Sequence, residues 1–300
     1  MQNILSLISN TAYIDPPTGL GAWIGWVILA VLIVLGVRHW WEPGLERFKR
    51  RWVLLAGLII IVPITTLFIG IRLPDASSVI IPNVPRDLNS PALMFFQAVT
   101  WVLAAGMFGP LPAVAIGGLS GLLFAFFETH NPFTPLEFGV LALLFSAAVR
   151  QRYRTGFFRF LRNPLGAAVV IGIVMIPILL VTTFLSASGE TSERLDYAFT
   201  GSWPIFLARI IELLVACIIA EVAYVVKPKL WGQPGPLVPS PAETSLQTRF
   251  FLWTFPLIAV LLLAIMFGDW VIAGNAARQS SAGCERQDWS YSWGTATGCG

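Results

Sequence analysis

Charged residues are scarce in this sequence. Only 12% of its 300 residues are Asp, Glu, Lys or Arg, whereas soluble globular domains carry about 25%. Hydrophobic residues make up 56% of the chain, and the formal net charge is only +3. This composition argues against a soluble domain and gives no indication of a nucleic-acid partner. It predicts an integral membrane protein whose main partner is the lipid bilayer.

Residues that commonly hold metals or act as nucleophiles are also few. The chain has two histidines and three cysteines, and neither set has the spacing of a metal site or a redox motif. The catalytic motifs HExxH, GxSxG and the P-loop do not occur in the sequence. We therefore predict that the chain has no enzymatic activity of its own and binds no metal or cofactor.

Long apolar runs, in contrast, are abundant. A transmembrane helix needs roughly 20 mostly apolar residues to cross about 30 Å of hydrocarbon. On this criterion the sequence predicts an all-α, polytopic bundle of about eight transmembrane helices. The candidate spans are residues 21–37, 52–72, 91–107, 110–127, 133–149, 165–186, 203–226 and 250–272.

Basic residues cluster in three of the loops between these spans. Loops 38–51, 150–164 and 227–249 hold five, five and three of the 19 Lys and Arg residues. An eight-span arrangement places all three loops on one side, which the positive-inside rule assigns to the cytoplasm. The sequence thus predicts a multi-pass protein of the plasma membrane with both termini extracytoplasmic. Because residues 1–20 contain no Lys or Arg, no secretory signal peptide is predicted.

Five segments follow from this arrangement. An extracytoplasmic N-terminal segment, 1–20, precedes a seven-span bundle, 21–226. A cytoplasmic Pro-rich linker, 227–249, then leads to the eighth transmembrane helix, 250–272, and an extracytoplasmic, disordered tail is predicted for 273–300.

The composition of the tail changes abruptly to small and polar residues, and two interpretations are open. The first is a native tail, which Cys284 and Cys299 could close with a disulfide in an oxidising compartment. The second is the truncated end of a larger protein.

Three charged residues, Arg209, Glu212 and Glu221, interrupt the seventh span. An ionisable side chain at the centre of a transmembrane helix costs about 2.5–3.5 kcal/mol and marks a functional interior by default. Arg209 and Glu212 are three residues apart and can pair on one helix face, whereas Glu221 can snorkel to the nearby interface. The sequence allows two roles for the pair of Arg209 and Glu212: a structural salt bridge, or a polar cluster that faces a ligand or ion.

Polar residues of other spans lie at a similar predicted depth. Arg72 ends the second span, and Gln97 and Thr100 belong to the third. Glu137 lies near the outer end of the fifth. We therefore predict a small, outward-opening cavity with three ligand-binding residues, Arg209, Glu212 and Glu137.

The fourth span begins at a tight FGPLP link, residues 108–112, which predicts a hairpin of two helices. Small residues then recur every fourth position and form one smooth ridge, at Ala113, Gly117, Gly121 and Ala125. Such a ridge lets another helix approach closely in lipid. It predicts helix packing, either within the bundle or at the seam of a homodimer.

The stretch 106–154, GMFGPLPAVAIGGLSGLLFAFFETHNPFTPLEFGVLALLFSAAVRQRYR, resembles the LytS-type multi-span input module of bacterial sensor proteins. Residues 245–278 are similar to the signal-anchor helix that precedes the sensing domain of histidine kinases. These resemblances imply the membrane-embedded input half of a receptor, with an output domain or partner protein downstream. The sequence departs from the family because it has no phospho-accepting histidine motif and no ATP-binding motif.

The pattern FGPLPAVAIGGLSGLL also resembles the substrate-binding subunit of energy-coupling-factor transporters. That family has about six spans and a buried ligand cavity, so the resemblance implies a small-molecule transporter subunit. Sensing and signal transduction is the first functional prediction, and transport is the alternative.

Overall fold

The computed structural model describes residues 12–40, 45–72, 92–187, 189–232 and 235–240, with single residues between 254 and 268. Most of the predicted eighth span and the whole predicted tail, with Cys284 and Cys299, lie outside the described residues. What the sequence predicts for these segments therefore stays a prediction.

Eight α-helices and a two-stranded ribbon make up the described part of the chain. In chain order they are α1 (Leu20–His39), α2 (Leu45–Leu67), β1 (Gly70–Arg72), β2 (Ala92–Met94), α3 (Gln97–Met107), α4 (Pro110–Phe124), α5 (Thr134–Arg150), α6 (Gly156–Arg162), α7 (Pro164–Ser186) and α8 (Thr191–Val226). A π-helical turn, Ala125–Thr129, extends α4. The strands β1 and β2 are antiparallel, with Ile71 opposite Leu93.

The surface of these helices is suited to lipid. Among the described residues, three helices have the length and apolarity to cross a membrane: Leu20–His39, Pro110–Thr129 and Pro164–Ser186. Helix α1 buries only Ala22 and Ile33 and leaves large apolar side chains exposed along its length. A surface of this kind promotes aggregation in water but is ordinary against hydrocarbon. The chain is an all-α membrane protein, as its composition predicts.

The predicted number of eight spans is not confirmed. The third predicted span, 91–107, is helical only over the 11 residues of α3, because residues 92–94 form β2. Eleven residues rise about 16 Å, roughly half the thickness of the hydrocarbon. Helix α3 therefore does not cross a bilayer by itself. The second predicted span, 52–72, likewise ends its helix at Leu67.

Local sequence signals explain where two of the helices begin. Gly109 has a φ of 111°, a left-handed conformation that favours glycine, and Pro110 then starts α4. This is the helix hairpin that the FGPLP link predicts. Asn163 caps α7, because its side-chain oxygen accepts a hydrogen bond of 2.9 Å from the N–H of Leu165.

Helix α8 is longer than the seventh predicted span. It starts at Thr191 rather than at residue 203, because Glu190 and Glu193 form a capping box around its first turn. Pro204 lies inside the helix without ending it, and proline is tolerated in this way in membrane helices.

Helix α3 lies at the centre of the bundle and contacts α2, α4, α5 and α8. Trp101 of α3 is buried, and its ring packs edge-on against Phe145 of α5 with 6.1 Å between the ring centres. Gln97 and Thr100 are buried on the same helix. The central element of the fold therefore carries polar side chains into the core.

The small-residue ridge of α4 packs against α5 of the same chain. A Cβ atom added at Gly117 would lie 2.9 Å from the Cβ of Ala142, and one added at Gly121 would lie 2.8 Å from the Cα of Pro135. Ala113 and Ala125 of the ridge are fully buried. The ridge is thus occupied within the bundle, and the homodimer stays a prediction.

The N-terminal segment before α1 contacts the turn that follows α4. The rings of Tyr13 and His130 stack with 3.9 Å between their centres. The N–H of Asp15 donates to the carbonyl of His130 at 3.0 Å. We call the end of the bundle that carries this turn, residues 125–133, the turn end.

The chain divides into two compact units, Met1–Val238 and Pro239–Gly300. All eight helices and both strands belong to the first unit. In the second unit, the residues described between 254 and 268 are helical. The finer boundaries predicted from the sequence stay predictions.

Candidate functional site

The two charges of α8 meet in the core. The Nη1 atom of Arg209 donates to Oε2 of Glu212 at 2.8 Å, and the two side chains are only 7% and 1% exposed. A buried pair of this kind is costly to break, because removing one partner leaves an uncompensated charge in a medium of low dielectric constant.

Arg209 is held by groups from three other helices. The same Nη1 atom donates to Oε1 of Gln97, on α3, at 2.8 Å. The guanidinium carbon lies 4.4 Å from the ring centre of Phe124 and 4.6 Å from that of Phe138. Both rings are within the range of a cation–π interaction, so the guanidinium is clamped between α4 and α5.

Glu212 is held by the main chain as well as by Arg209. The N–H of Met94, at the end of β2, donates to Oε1 of Glu212 at 2.8 Å. Both carboxylate oxygens therefore have partners. Residues 92–94 are extended because they pair with β1, and the contact with Glu212 holds the end of this strand against α8.

Glu137 approaches the pair from α5. Its side chain is buried, and it lies within electrostatic range of Arg209 and beside the hydroxyl of Thr182, on α7. That hydroxyl can donate its single hydrogen to Glu137 or to the carbonyl of Ile178, which is 3.0 Å away. The three predicted ligand-binding residues, Arg209, Glu212 and Glu137, thus lie in one cluster near the turn end. Ligand binding by them stays a prediction.

The cluster has more hydrogen-bonding capacity than the described residues use. Three buried polar atoms of α3 have no hydrogen-bond partner among those residues: Nε2 of Gln97, Oγ1 of Thr100 and Nε1 of Trp101. The orientation of the Gln97 amide is fixed, because a guanidinium only donates and must face the amide oxygen. A buried polar group without a partner costs about 1–3 kcal/mol. Three such atoms on one face of α3 therefore indicate a site where a ligand could supply the missing hydrogen bonds.

Two other charged residues from the sequence prediction lie elsewhere. The backbone of Arg72 ends β1, but its side chain is outside the described residues. Glu221 is far along α8 and accepts a hydrogen bond of 3.4 Å from Nδ2 of Asn163. It takes no part in the cluster.

Sequence reasoning missed four contributors: Met94, Phe124, Phe138 and Thr182. Met94 acts through its main-chain N–H, which leaves no signal in the sequence. Phe124 and Phe138 are ordinary apolar residues of transmembrane helices until the fold places a guanidinium between them. Thr182 is a polar residue within an apolar run and could have been noted for that reason.

Comparison with known proteins gives little further guidance. No protein-family model matches the chain, and no curated protein matches it. Among solved structures, it is similar to the S component of a bacterial ECF transporter, with 17% sequence identity and a TM-score of 0.35. The match covers 60% of this chain and 94% of the other. A likeness of this degree does not establish a shared fold.

Proposed function

We propose that this membrane protein binds a small polar molecule inside its helix bundle, as the binding component of a transport system does. The observation that carries the proposal is the cluster of Arg209, Glu212 and Glu137 with Gln97, on a face of α3 where three buried polar atoms have no hydrogen-bond partner among the described residues. Ionisable residues within transmembrane helices are rare and by default indicate a functional site, such as a substrate or ion pathway.

The hydrogen bonds of the cluster indicate the chemistry of the ligand. Nη1 of Arg209 uses both of its hydrogens, on Gln97 and Glu212. The remaining N–H groups of Arg209 have no hydrogen bond to any residue that the structure describes. With Nε2 of Gln97 and the hydroxyl of Thr100, they would donate to carbonyl or ring-nitrogen acceptors. The Glu137 carboxylate would accept from an N–H or O–H of the same molecule.

The charge balance favours a ligand without net charge. Arg209 is neutralised by its contact with Glu212, so an anionic ligand would bring a second negative charge close to Glu137. A cationic ligand would lie beside Arg209. An uncharged molecule with both acceptors and donors, such as an amide or a nitrogen heterocycle, adds no further buried charge, and its N–H or O–H donors stabilise the Glu137 carboxylate through hydrogen bonds.

Within this proposal Glu212 positions Arg209 and does not contact the ligand. Both of its oxygens are already bonded, to Arg209 and to the N–H of Met94. Glu212 therefore fixes the guanidinium between the two phenyl rings. Gln97, Thr100, Glu137 and the free edge of Arg209 would form the contact surface.

The proposal includes the eight-span topology, with the arginine-rich loop 150–164 in the cytoplasm and both termini outside. The distribution of Lys and Arg supports it. The cluster then lies in the outer half of the membrane, because Gln97 and Glu137 are in the first turns of α3 and α5 at the turn end. A ligand would enter from outside.

The test begins with thermal unfolding of the purified, full-length chain in detergent. Its probes are a panel of neutral amides and nitrogen heterocycles, zwitterionic amino acids and dicarboxylates. We expect a neutral compound to raise the unfolding midpoint of the wild type by mass action. The shift should be lost in Glu137→Gln, which keeps the size of the side chain but not its negative charge.

Transport is then tested with the same compound, in radiolabelled form, in cells that lack the gene. Wild-type protein should restore uptake, and Glu137→Gln, expressed at the same level, should not. Binding without any effect on uptake would contradict the transport role and favour the sensing role predicted from the sequence. If no compound of the panel binds, the ligand assignment is wrong.

A further inference from the structure

A polar cavity lies at the end of the bundle opposite the turn end. It has a volume of about 280 Å³ and is open to the surface. Its lining residues come from the C-terminal ends of α1 and α5, from the start of α4 and from the segment that follows α5, together with Val238 after α8. They include His39, Trp40, Ser146, Arg150, Arg152 and Tyr153.

Two main-chain hydrogen bonds fix the position of Arg152. The N–H of Val238 donates to the carbonyl of Arg152 at 2.9 Å, and the N–H of Arg154 donates to the carbonyl of Val238 at 3.1 Å. Residues 152–154 are thus held extended beside the chain that returns after α8. Arg152 is partly buried and projects from a fixed backbone.

Arg150 supplies the buried side of the cavity. It is only 4% exposed, and its Nη1 atom donates to the carbonyl of Gly106 at 3.0 Å. Gly109 lies beside its guanidinium, since a Cβ atom there would be in ordinary van der Waals contact with Nε of Arg150, at 3.5 Å. The cavity therefore has one arginine at its base and another at its side.

No described residue that lines the cavity carries a carboxylate. The helix dipoles offset only part of its positive charge. Two helix C-termini, at His39 and Arg150, and one N-terminus, at Pro110, meet there. Their partial charges sum to about −0.5, against two guanidinium charges. The described residues that line the cavity therefore carry a net positive charge.

We propose that this cavity binds a phosphate-bearing anion, with Arg150 and Arg152 as its charged contacts. Guanidinium groups suit phosphate because they donate two parallel hydrogen bonds in one plane. The volume lies at the small end of the range for ligand pockets, about 300–1,000 Å³, and so fits a phosphate group with a short substituent.

The headgroup of an anionic phospholipid is the source that the surroundings favour. Trp40 is at the rim of the cavity and is 40% exposed, and tryptophan is typical of the membrane–water interface. Basic pockets between transmembrane helices hold anionic headgroups in this way. A free phosphate ester has the same chemistry and is the other source that the test distinguishes.

The test measures the unfolding midpoint of the purified, full-length chain in neutral detergent. The probes are dioctanoyl phosphatidylglycerol, dioctanoyl phosphatidylcholine and inorganic phosphate, each titrated to give an apparent dissociation constant. The variants are Arg152→Gln and Arg159→Gln. Arg159 lies on α6 in the same basic loop and is exposed, but it does not line the cavity, so the two variants lose the same charge.

We expect phosphatidylglycerol to stabilise the wild type more than phosphatidylcholine does. Arg152→Gln should weaken its binding about tenfold, as the loss of a charge-assisted contact does, and Arg159→Gln should change it less than twofold. Arg152→Lys, which keeps the charge, should recover part of the affinity. A shift by inorganic phosphate with the same dependence on Arg152 would support the site and identify free phosphate as its ligand.

Two results would overturn the proposal. One is equal stabilisation by the two lipids together with no shift by phosphate. The other is an equal loss of affinity in Arg152→Gln and Arg159→Gln, since that would reflect the overall charge of the loop and not a site.

Discussion

At the scale of single residues, the main feature is a guanidinium held in the core by four contacts of three different kinds. Arg209 bonds a carboxylate and an amide and lies against two aromatic rings. Such a group is stable in the membrane interior only if its partners remain in place. The stability of the fold and the properties of the site therefore depend on the same residues.

Replacement of Glu212 by Leu should destabilise the fold strongly. The change leaves Arg209 buried without its counter-charge, and breaking such a pair costs about 3–5 kcal/mol. The double variant Arg209→Leu, Glu212→Leu should regain most of this loss, because two apolar side chains of similar size need no partner in lipid. Denaturant unfolding of the purified Glu212→Leu, Arg209→Leu and double variants measures these values.

A double variant as unstable as the sum of the two single variants would contradict the pairing. It would show that the two residues stabilise the fold independently of each other.

At the scale of elements, the close contact between α4 and α5 depends on the absence of side chains at two positions. A methyl group at Gly121 would meet main-chain atoms of Pro135 and Thr134, at 2.8 and 2.9 Å. Main-chain atoms cannot move aside as the end of a flexible side chain can. The two helices would have to separate, and Phe124 and Phe138, which clamp Arg209, would separate with them.

Gly121→Ala should therefore destabilise the protein by about 1–3 kcal/mol through overpacking. Gly118, three residues earlier on the same helix, is the matched control, since a Cβ there meets only the carbonyl oxygen of Pro135 at 4.0 Å. Gly118→Ala should be neutral or stabilising, because alanine has the higher helix propensity. Thermal unfolding of both variants tests this, and equal midpoints would count against the close contact.

Much of the helical framework could be predicted from the length of the apolar runs in the sequence alone. The bounds of α1, α4, α5 and α7 lie within a few residues of the predicted spans. The ribbon strand β2 could not be predicted, because Ala92–Met94 is an apolar run that fits a helix equally well. Its conformation depends on residues distant in the sequence, through the pairing with β1 and the hydrogen bond from the N–H of Met94 to Glu212.

The charged members of the cluster, in contrast to β2, could be predicted from the sequence. Arg209, Glu212 and Glu137 stand out because charge is costly within an apolar run. Phe124 and Phe138 are what such a run normally contains, and only the packing of α4 against α5 gives them a role. The start of α8 was predicted too late because residues 191–202 are polar, although their capping box is a local signal.

At the scale of the whole molecule, the proposed topology places the arginine-rich loop inside the cell. The prediction is tested with single cysteines at two exposed positions, Gly156→Cys and Glu190→Cys, after the native cysteines are replaced by serine. A membrane-impermeant thiol reagent should label intact cells at position 190 and not at position 156. Position 156 should react only after the cells are permeabilised.

Labelling at position 156 in intact cells would show that the topology is the reverse of the one proposed. The cluster would then open toward the cytoplasm, and an uptake role that begins with binding from outside would be wrong.

The most direct test of ligand binding inside the bundle is the affinity of the variant Thr100→Val for the compound identified in the panel. Calorimetric titration measures this affinity. Valine has the shape of threonine but lacks the hydroxyl, which has no partner among the described residues. We expect unchanged or higher stability and affinity weaker by about tenfold. Thr66→Val is the control, since its hydroxyl pairs with Ser120 at 3.0 Å, and should lose stability but keep affinity. Equal affinity in the wild type and Thr100→Val would contradict the proposed site.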